Sequence, residues 1–441
     1  MQFLAKKRLS LSRLSIPIFL DLFFRFLSII ANTAMVSHYS NDLVGAMGAG
    51  NEIIDLFITI FSFLSVGCSV VIAQAIGAKD TILARKVIHQ SLFLNLLFGL
   101  ICGSFILWQS ELLLNLLNIP KELLKDSQIY LDMLAICLIF DAIGLILSAI
   151  MRVYNIAYCV MMVGIMMNLI IVVGNFYVLH FTELGLFGVG VSNIIARIVA
   201  VVAMFLIITY KLKIHLKIKE MLNFEKEVLK KVFSIGGFSA GENLIWISQY
   251  IISFSFVASL GKENLSVQTI YFQLSLFIMM VGIAMSVANE IIIGKLVGAR
   301  YENIAYKHTW KALYFSVMAT IIVVLCHYFL KDVTMNLLDL KEDLKEIMLP
   351  LFTLSIFLEI SRTFNIVMVN ALRASGDAKF PFFSGMIFML GVSLPVGYIL
   401  CFYCNLGILG IWIGYCADES LRGLVNAYRW KSKKWQGKAV I

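Results

Sequence analysis

The chain has 441 residues, of which 60% are hydrophobic and only 14% charged, with a mean hydropathy of +0.90. Soluble domains have about 45–50% apolar and about 25% charged residues, so a chain this apolar could not cover its own surface in water. The composition excludes a soluble enzyme, a nucleic-acid-binding protein and a secreted disulfide scaffold. It predicts a polytopic membrane protein whose solvent is the lipid bilayer.

Apolar runs of the length that crosses a bilayer, about 20 residues each, occur twelve times. The first six lie near residues 14–37, 44–75, 88–109, 127–151, 158–180 and 186–210. The second six lie near residues 232–260, 266–295, 309–330, 346–371, 380–403 and 406–428. A basic stretch that ends at Lys231 separates the two sets. The N-terminus is basic and then apolar, and it is interpreted as a retained first span rather than a signal peptide.

The two sets of six spans repeat each other. Four matches keep one offset in the numbering, to within a single position: IGAKDTILA (76–84) with VGARYENIA (297–305), NLLNI (115–119) with NLLDL (336–340), Arg152 with Arg373, and LGLFG (184–188) with LGILG (406–410). The sequence therefore predicts a duplicated six-helix unit, with an N-terminal bundle over 1–215 and a C-terminal bundle over 216–441. Because each unit has an even number of helices, we expect an all-α fold of twelve transmembrane helices in two bundles related by a pseudo-two-fold axis along the membrane normal.

The loop charges predict the orientation. Of the 36 Lys and Arg residues, 26 fall in the termini and the loops on the same side, and 6 in the opposite loops. Positive loops face the cytoplasm, so both termini are expected there, in a multi-pass protein of the plasma (inner) membrane. The net charge of +9 is then explained by cytoplasmic loops rather than by nucleic acid.

Charged residues inside the spans are the candidate functional groups, because a charge in hydrocarbon is unfavourable. Three acid–arginine pairs at helical spacing are expected to neutralise each other, namely Asp21–Arg25, Glu359–Arg362 and Asp418–Arg422. Six acids lack a cation at such a position: Glu52, Asp55, Asp132, Asp141, Glu242 and Glu290. Asp55, Asp141 and Glu242 lie near mid-span. We interpret these three as cavity-facing groups that bind H⁺ or Na⁺, with an interhelical hydrogen bond as the alternative.

Other chemical motifs give no positive signal. Cys401 and Cys404 form a CxxC, but no second Cys or His pair supports a metal site, and the eight cysteines are interpreted as small apolar residues. The sequence shows no Walker A loop, HExxH, GxSxG or nucleotide fingerprint. An enzyme, an ATP-driven pump, a metal site and a bound cofactor are therefore not predicted.

Several of these segments resemble one transporter family. The loops GAKDTILARK and GARYENIAYK, the loop NALRASGDAKFP (370–381), the segment SIGGFSAGEN (234–243) and the last span from 406 to 435 are similar to those of multidrug and toxic-compound extrusion (MATE) transporters. The resemblance covers essentially the whole chain. It implies a cation-driven exporter of two six-helix bundles around a central cavity, which exchanges H⁺ or Na⁺ for organic cations and other drugs.

The resemblance also implies site residues. Family members often carry an aspartate late in the first span, where this chain has Asn32, and some carry an acid in the tenth span, where it has Arg362. The seventh-span acid is matched by Glu242, and Asn175 matches a polar fifth-span position. Glu242, together with the mid-span acids Asp141 and Asp55, is an expected coupling carboxylate, and Asn32, Asn175 and Glu52 are expected to line the substrate cavity. The LRASGD loop is expected to be structural.

The leading hypothesis is a secondary antiporter for amphipathic organic cations, working as a monomer. The alternative is a flippase for lipid-linked oligosaccharides, which related superfamily members perform with strongly cationic cavities. Acids equal or outnumber cations inside these spans, which favours cation export. A channel or a receptor has no feature in its support.

Overall fold

A computed structural model describes residues 10–117 and 119–441, the side chains of residues 41, 42, 60 and 218 excepted. Over this range the chain forms twelve long helices. They are α1 (Leu11–Tyr39), α2 (Asn41–Gly77), α3 (Thr81–Leu116), α4 (Lys121–Val153), α5 (Ala157–Phe181), α6 (Gly185–Lys211), α7 (Lys226–Ala258), α8 (Lys262–Gly298), α9 (Glu302–Phe329), α10 (Glu342–Ala374), α11 (Lys379–Tyr403) and α12 (Ile408–Lys431). Two short helices, Ile218–Met221 and Lys331–Leu337, lie in the connections.

Ten of these twelve helices are long and apolar enough to cross a membrane by length and composition. The other two, α7 and α12, are as long but carry charged side chains within the apolar run, among them Glu242 and Arg422. Each predicted span overlaps one helix. Most helices extend beyond the predicted ends because their polar terminal turns continue into the loops, whereas α7 and α9 end, and α12 begins, one or two residues inside the predicted span.

The helix boundaries repeat at the offset that the sequence predicts. α4 and α10 are each 33 residues long, and both their first and their last residues are related by the offset that relates Arg152 to Arg373. α3 is bent at Gln109, which has non-helical backbone angles (φ −119°, ψ 18°). The corresponding residue of the second half is Leu330, where α9 stops and the next short helix begins. The bend in one copy and the break in the other therefore occupy the same position of the repeat.

The first of two compact units consists of residues 20–72 and 80–237. Its apolar core includes Phe61 and Leu131. Small residues bring α3 against α4, because a Cβ added at Gly99 would meet the Ala142 methyl group. Close approach through small residues is the usual way in which helices associate in lipid, where burial of apolar surface gives no advantage over lipid contact.

The second compact unit consists of residues 10–19, Ala73–Lys79 and the chain from Phe238 onward. Its core is aromatic, with Tyr271, Phe352 and Trp412 packed together and fully buried. α11 contains π-helical turns at Met389–Ser393 and Ile399–Tyr403. The division of the chain at residues 215 and 216 remains a prediction.

The last residues of the chain lie against the loops of the second unit. Trp430 and Trp435 stack with ring centroids 4.0 Å apart. The Val440 N–H donates to the Gln74 side-chain oxygen at 2.9 Å, and the Gln74 amide donates to the Ala374 carbonyl at 2.8 Å. The tail thus bonds to the last turns of α2, which are themselves bonded to the end of α10.

α2 and α8 meet where both end in glycine. A Cβ on Gly77 would overlap the Lys295 carbonyl oxygen, and a Cβ on Gly298 would overlap the Gln74 carbonyl oxygen. Since the obstructing atoms belong to the backbone, a larger residue can be accommodated only if the two helices separate.

Gly298→Ala is therefore expected to destabilise the protein by about 1–3 kcal/mol, the usual range for an overpacked site. The matched control is Gly237→Ala on α7, where an added Cβ would meet no atom within 4 Å. There, alanine is expected to be neutral or to stabilise by up to about 1 kcal/mol through its helix propensity. Thermal unfolding of the purified variants measures both effects, and equal midpoints for the two would contradict the expectation.

Candidate functional site

Glu242 on α7 is buried, with 5% of its surface exposed, and two arginines hold it. Arg373, at the end of α10, donates from Nη2 to Glu242 Oε2 at 2.7 Å. Arg422 on α12 places its Nη1 3.7 Å from Glu242 Oε1. Glu242 has no cation partner on its own helix, as the sequence indicates, but it has cation partners on two others. Arg373 consequently belongs to the site and not only to the loop.

Arg422 also binds two acids on its own helix. Its Nη2 lies 3.2 Å from Asp418 Oδ2 and 2.9 Å from Glu419 Oε1. The predicted pair of Asp418 with Arg422 is confirmed. Glu419 is a residue that the sequence analysis missed, although its position three residues before Arg422 is the same helical signal. The Asn365 amide donates to Glu419 at 2.7 Å, so this acid is also fixed from α10.

The predicted pair of Glu359 with Arg362 on α10 is confirmed as well, at 2.7 Å. Ser275 on α8 lies between them, since its hydroxyl accepts from Arg362 at 2.7 Å and donates to Glu359. Arg362 Nε also lies 3.8 Å from Glu419 Oε1. The pairs on α10 and α12 are thereby connected.

Together these groups form one buried carboxylate–arginine network, which consists of Glu242, Glu359, Asp418, Glu419, Arg362, Arg373 and Arg422. A guanidinium in a protein keeps its proton, whereas a carboxylate can gain one. With every carboxylate ionised, the network has one more negative than positive charge. Within the described part of the chain, two buried oxygens of the network lack a hydrogen-bond partner, Glu359 Oε2 and Asp418 Oδ1.

In the first unit, Asp141 on α4 is bound by Arg197 on α6. The Arg197 Nε lies 2.9 and 2.8 Å from the two Asp141 oxygens, and its Nη1 donates to the Asn193 side chain at 2.9 Å. Asp141, like Glu242, has no cation three or four residues away on its own helix. Its partner is 56 residues away, and a search at helical spacing cannot find it.

The prediction that Asp21 pairs with Arg25 is wrong, because Asp21 pairs with a different arginine. The ion pair of Asp21 is with Arg152 at the end of α4, at 3.0 Å. Gly164 on α5 makes room for it, because a Cβ at this position would overlap the Asp21 carboxylate. Arg25 lies close enough to act electrostatically on Asp21 and on Asp55.

The ion pairs of the two units occupy equivalent positions of the repeat. Asp21 is related to Glu242 by the same offset that relates their partners, Arg152 and Arg373. Both pairs span the same 131 residues of sequence. The duplication therefore carries an acid–arginine pair between the first and fourth helices of each unit.

A second pair is present in both units with its charges exchanged. Asp141 corresponds to Arg362 at the offset of Arg152 and Arg373, and Arg197 corresponds to Glu419 at the offset of the LGLFG and LGILG match. The first unit thus has the acid on the fourth helix and the arginine on the sixth, while the second unit has the reverse. The two facing positions carry opposite charges in both units, but the helix that carries the acid differs between the units.

The two asparagines predicted to line a cavity lie together. Asn175 donates to the Asn32 side-chain oxygen at 3.0 Å, and Asn32 donates to Ser28 at 3.4 Å. Glu52 and Asp55 have exposed side chains on α2, and among the described residues neither has an ion-pair partner. The predicted residues of the first unit thus form separate groups rather than one cluster.

Comparisons with known proteins find similar proteins along nearly the whole length of the chain. The family model MatE matches residues 17–178 and again residues 239–399, one match in each half. The uncharacterized transporter YisQ of Bacillus subtilis is 33% identical, with 99% of this chain and 97% of that protein covered. The probable multidrug resistance protein NorM of Thermotoga maritima is 24% identical, with 98% and 94% covered.

A solved structure of an outward-facing multidrug resistance MATE family transporter superposes with a TM-score of 0.88. It is 19% identical, and the alignment covers 96% of this chain and 95% of that one. At this identity the likeness shows the fold. The predicted all-α membrane fold of twelve helices in two bundles is confirmed.

The exchanged pair yields a prediction for Asp141 and Arg197. Either Asp141→Arg or Arg197→Glu alone places two like charges about 3 Å apart, and each is expected to lose about 3–5 kcal/mol of stability. The double variant Asp141→Arg/Arg197→Glu reproduces the arrangement of the second unit. It is expected to recover most of the loss, and the yield of monodisperse protein after size-exclusion chromatography measures this. A double variant with no more folded protein than the single variants would contradict the equivalence.

Proposed function

Since this chain belongs to the MatE family of membrane transporters, we propose that it is a secondary active multidrug efflux antiporter. It exchanges H⁺ or Na⁺ for amphipathic, mostly cationic organic compounds by alternating access. The observation that carries the proposal is the excess carboxylate of the carboxylate–arginine network. Antiport requires a site that holds the coupling ion in one state and releases it in another.

The excess charge gives the network a reason to bind a cation. An uncompensated charge away from water is strongly unfavourable, so one carboxylate takes up a proton or binds Na⁺. In the first unit each ion pair matches one acid with one arginine, Asp21 with Arg152 and Asp141 with Arg197. The second unit is therefore the better candidate for ion coupling.

Glu242 is our first choice for the coupling residue within the network. It is the acid that joins the arginines of α10 and α12, and its ionisation acts on Arg373 and Arg422 together. Asp141 and Asp55 are the alternatives in the first unit. Substrate is proposed to enter a cavity lined by Asn32, Asn175 and Glu52.

The flippase alternative requires cationic groups that are free to hold phosphate. In the network each arginine is within 4 Å of at least one carboxylate, and Arg422 is within that distance of three. Neutralised arginines do not form a cationic phosphate site. This arrangement favours export of cations.

The test is efflux of ethidium, a fluorescent organic cation, from proteoliposomes under an imposed pH or sodium gradient. Glu242→Gln gives the network equal numbers of positive and negative charges, so it no longer needs a coupling ion. We expect this variant to fold and to lose gradient-dependent efflux, down to the level of protein-free liposomes. The matched control is Glu263→Gln, an exposed acid at the start of α8, which is expected to transport as the wild type does.

Each other outcome decides against part of the proposal. Glu242→Gln at the wild-type rate, with an unchanged response to pH and sodium, excludes Glu242 and assigns the role to Asp141 or Asp55. A wild-type protein that translocates a lipid-linked oligosaccharide but shows no gradient-driven efflux would favour the flippase.

The loop charges support a plasma (inner) membrane protein with both termini in the cytoplasm. In that orientation the connection between α11 and α12 faces the outside. This connection contains Cys404, an exposed free thiol.

In a Cys326→Ser background, which removes the other exposed cysteine of the described residues, a membrane-impermeant maleimide is therefore expected to label Cys404 in intact cells, and Cys404→Ser is expected to abolish that labelling. In the Cys326→Ser/Cys404→Ser background, Lys434→Cys in the C-terminal tail should react only after the cells are permeabilised. Labelling of Lys434→Cys in intact cells would reverse the proposed orientation.

A further inference from the structure

We infer that a groove in the second unit binds an anionic phospholipid of the surrounding membrane. The groove lies between the start of α1 and the faces of α8 and α9, and its volume is about 770 Å³. Clefts of about 300–1,000 Å³ are typical of sites for small ligands. The inference rests on the proposed orientation of the chain in the membrane, and it is independent of the proposed antiport.

The groove has polar side chains near the starts of α1 and α9 and larger apolar side chains further along. Near the beginning of α1 it presents the hydroxyls of Ser10 and Ser12 on either side of Leu11, and the next turn presents Ser15 and Ile16. On α9 the lining residues follow one face, with His308 first, then Lys311, then Phe315. A headgroup beside the serines, His308 and Lys311, with an acyl chain beside Ile16 and Phe315, matches this order.

The charge of the groove favours an anionic ligand. None of the described residues that line it is acidic, and no carboxylate of the described chain lies within ion-pair distance of Lys311. Its ammonium group lies 5.9 Å from the Phe315 ring centroid, which leaves its hydrogen-bonding capacity for a ligand. His308 is fixed beside it by a contact of 3.2 Å with the buried Asn289 side chain.

The position of the groove along α9 suits a lipid. His308 and Lys311 lie two to three turns from the start of this helix, whose preceding loop is predicted to be cytoplasmic. A lysine at such a depth extends its ammonium group toward the headgroup level. The cytoplasmic leaflet is also where anionic lipids attract basic side chains, by about 1 kcal/mol for each lysine or arginine.

The experiment is native mass spectrometry of the full chain, titrated with phosphatidylglycerol or with phosphatidylcholine of the same acyl chains. We expect phosphatidylglycerol to bind more tightly, and Lys311→Gln to weaken its binding about fivefold, as the loss of one such attraction requires. Lys311→Arg should keep the affinity. The matched control is Lys307→Gln, one turn earlier on α9, an exposed lysine that does not line the groove.

Three results would overturn the inference. One is equal affinity for the two lipids, and another is unchanged phosphatidylglycerol binding by Lys311→Gln. The third is displacement of phosphatidylglycerol by millimolar inorganic phosphate, because this would identify the ligand as a free anion. Lys311 is exposed, so its substitution is expected to leave the fold intact, and the monodispersity of each variant verifies this.

Discussion

A guanidinium keeps its proton inside a protein, so an arginine that a helix carries into hydrocarbon needs a carboxylate beside it. In this chain most of these arginines have a carboxylate partner on another helix. Arg152 pairs with Asp21, Arg197 with Asp141 and Arg373 with Glu242. Because a short ion pair tolerates little displacement, each one fixes two helices at one relative depth. The packing of the apolar cores and the close contacts at the glycines must be compatible with the relative helix depths that the ion pairs set.

The fold was predictable because its signals are local or periodic. Apolar runs of bilayer length give the helices, and the constant offset between matching segments gives the duplication, as the bounds of α4 and α10 show. The site was predictable only where partners share a helix, as Glu359 and Arg362 do. Helical spacing pairs Asp21 with Arg25, because they lie four residues apart, and it contains no information about other helices. The partner of Asp21, Arg152, comes from another helix, 131 residues away.

The repeat adds a source of information that single residues do not contain. Asp141 and Arg362 have opposite charges, and in isolation they look unrelated. As equivalent positions they show that evolution of the two copies kept an attraction while exchanging its signs. The copies then differ in their charge balance, since Glu359, Asp418 and Arg422 occur in the second unit alone as additions to the shared pairs. This difference in the buried ion pairs is the reason why the ion-binding role is proposed for the second unit.

The bond between Val440 and Gln74 joins residues 366 positions apart in the sequence. A ribosome that adds about 5–20 residues per second needs roughly 20–70 s to travel this distance. During that interval the end of α2 has been made, while the segment that bonds to Gln74 has not. The Gln74 side-chain oxygen therefore lacks this partner until Val440 has been synthesised, and a chain interrupted before that point leaves the end of α2 without its cover.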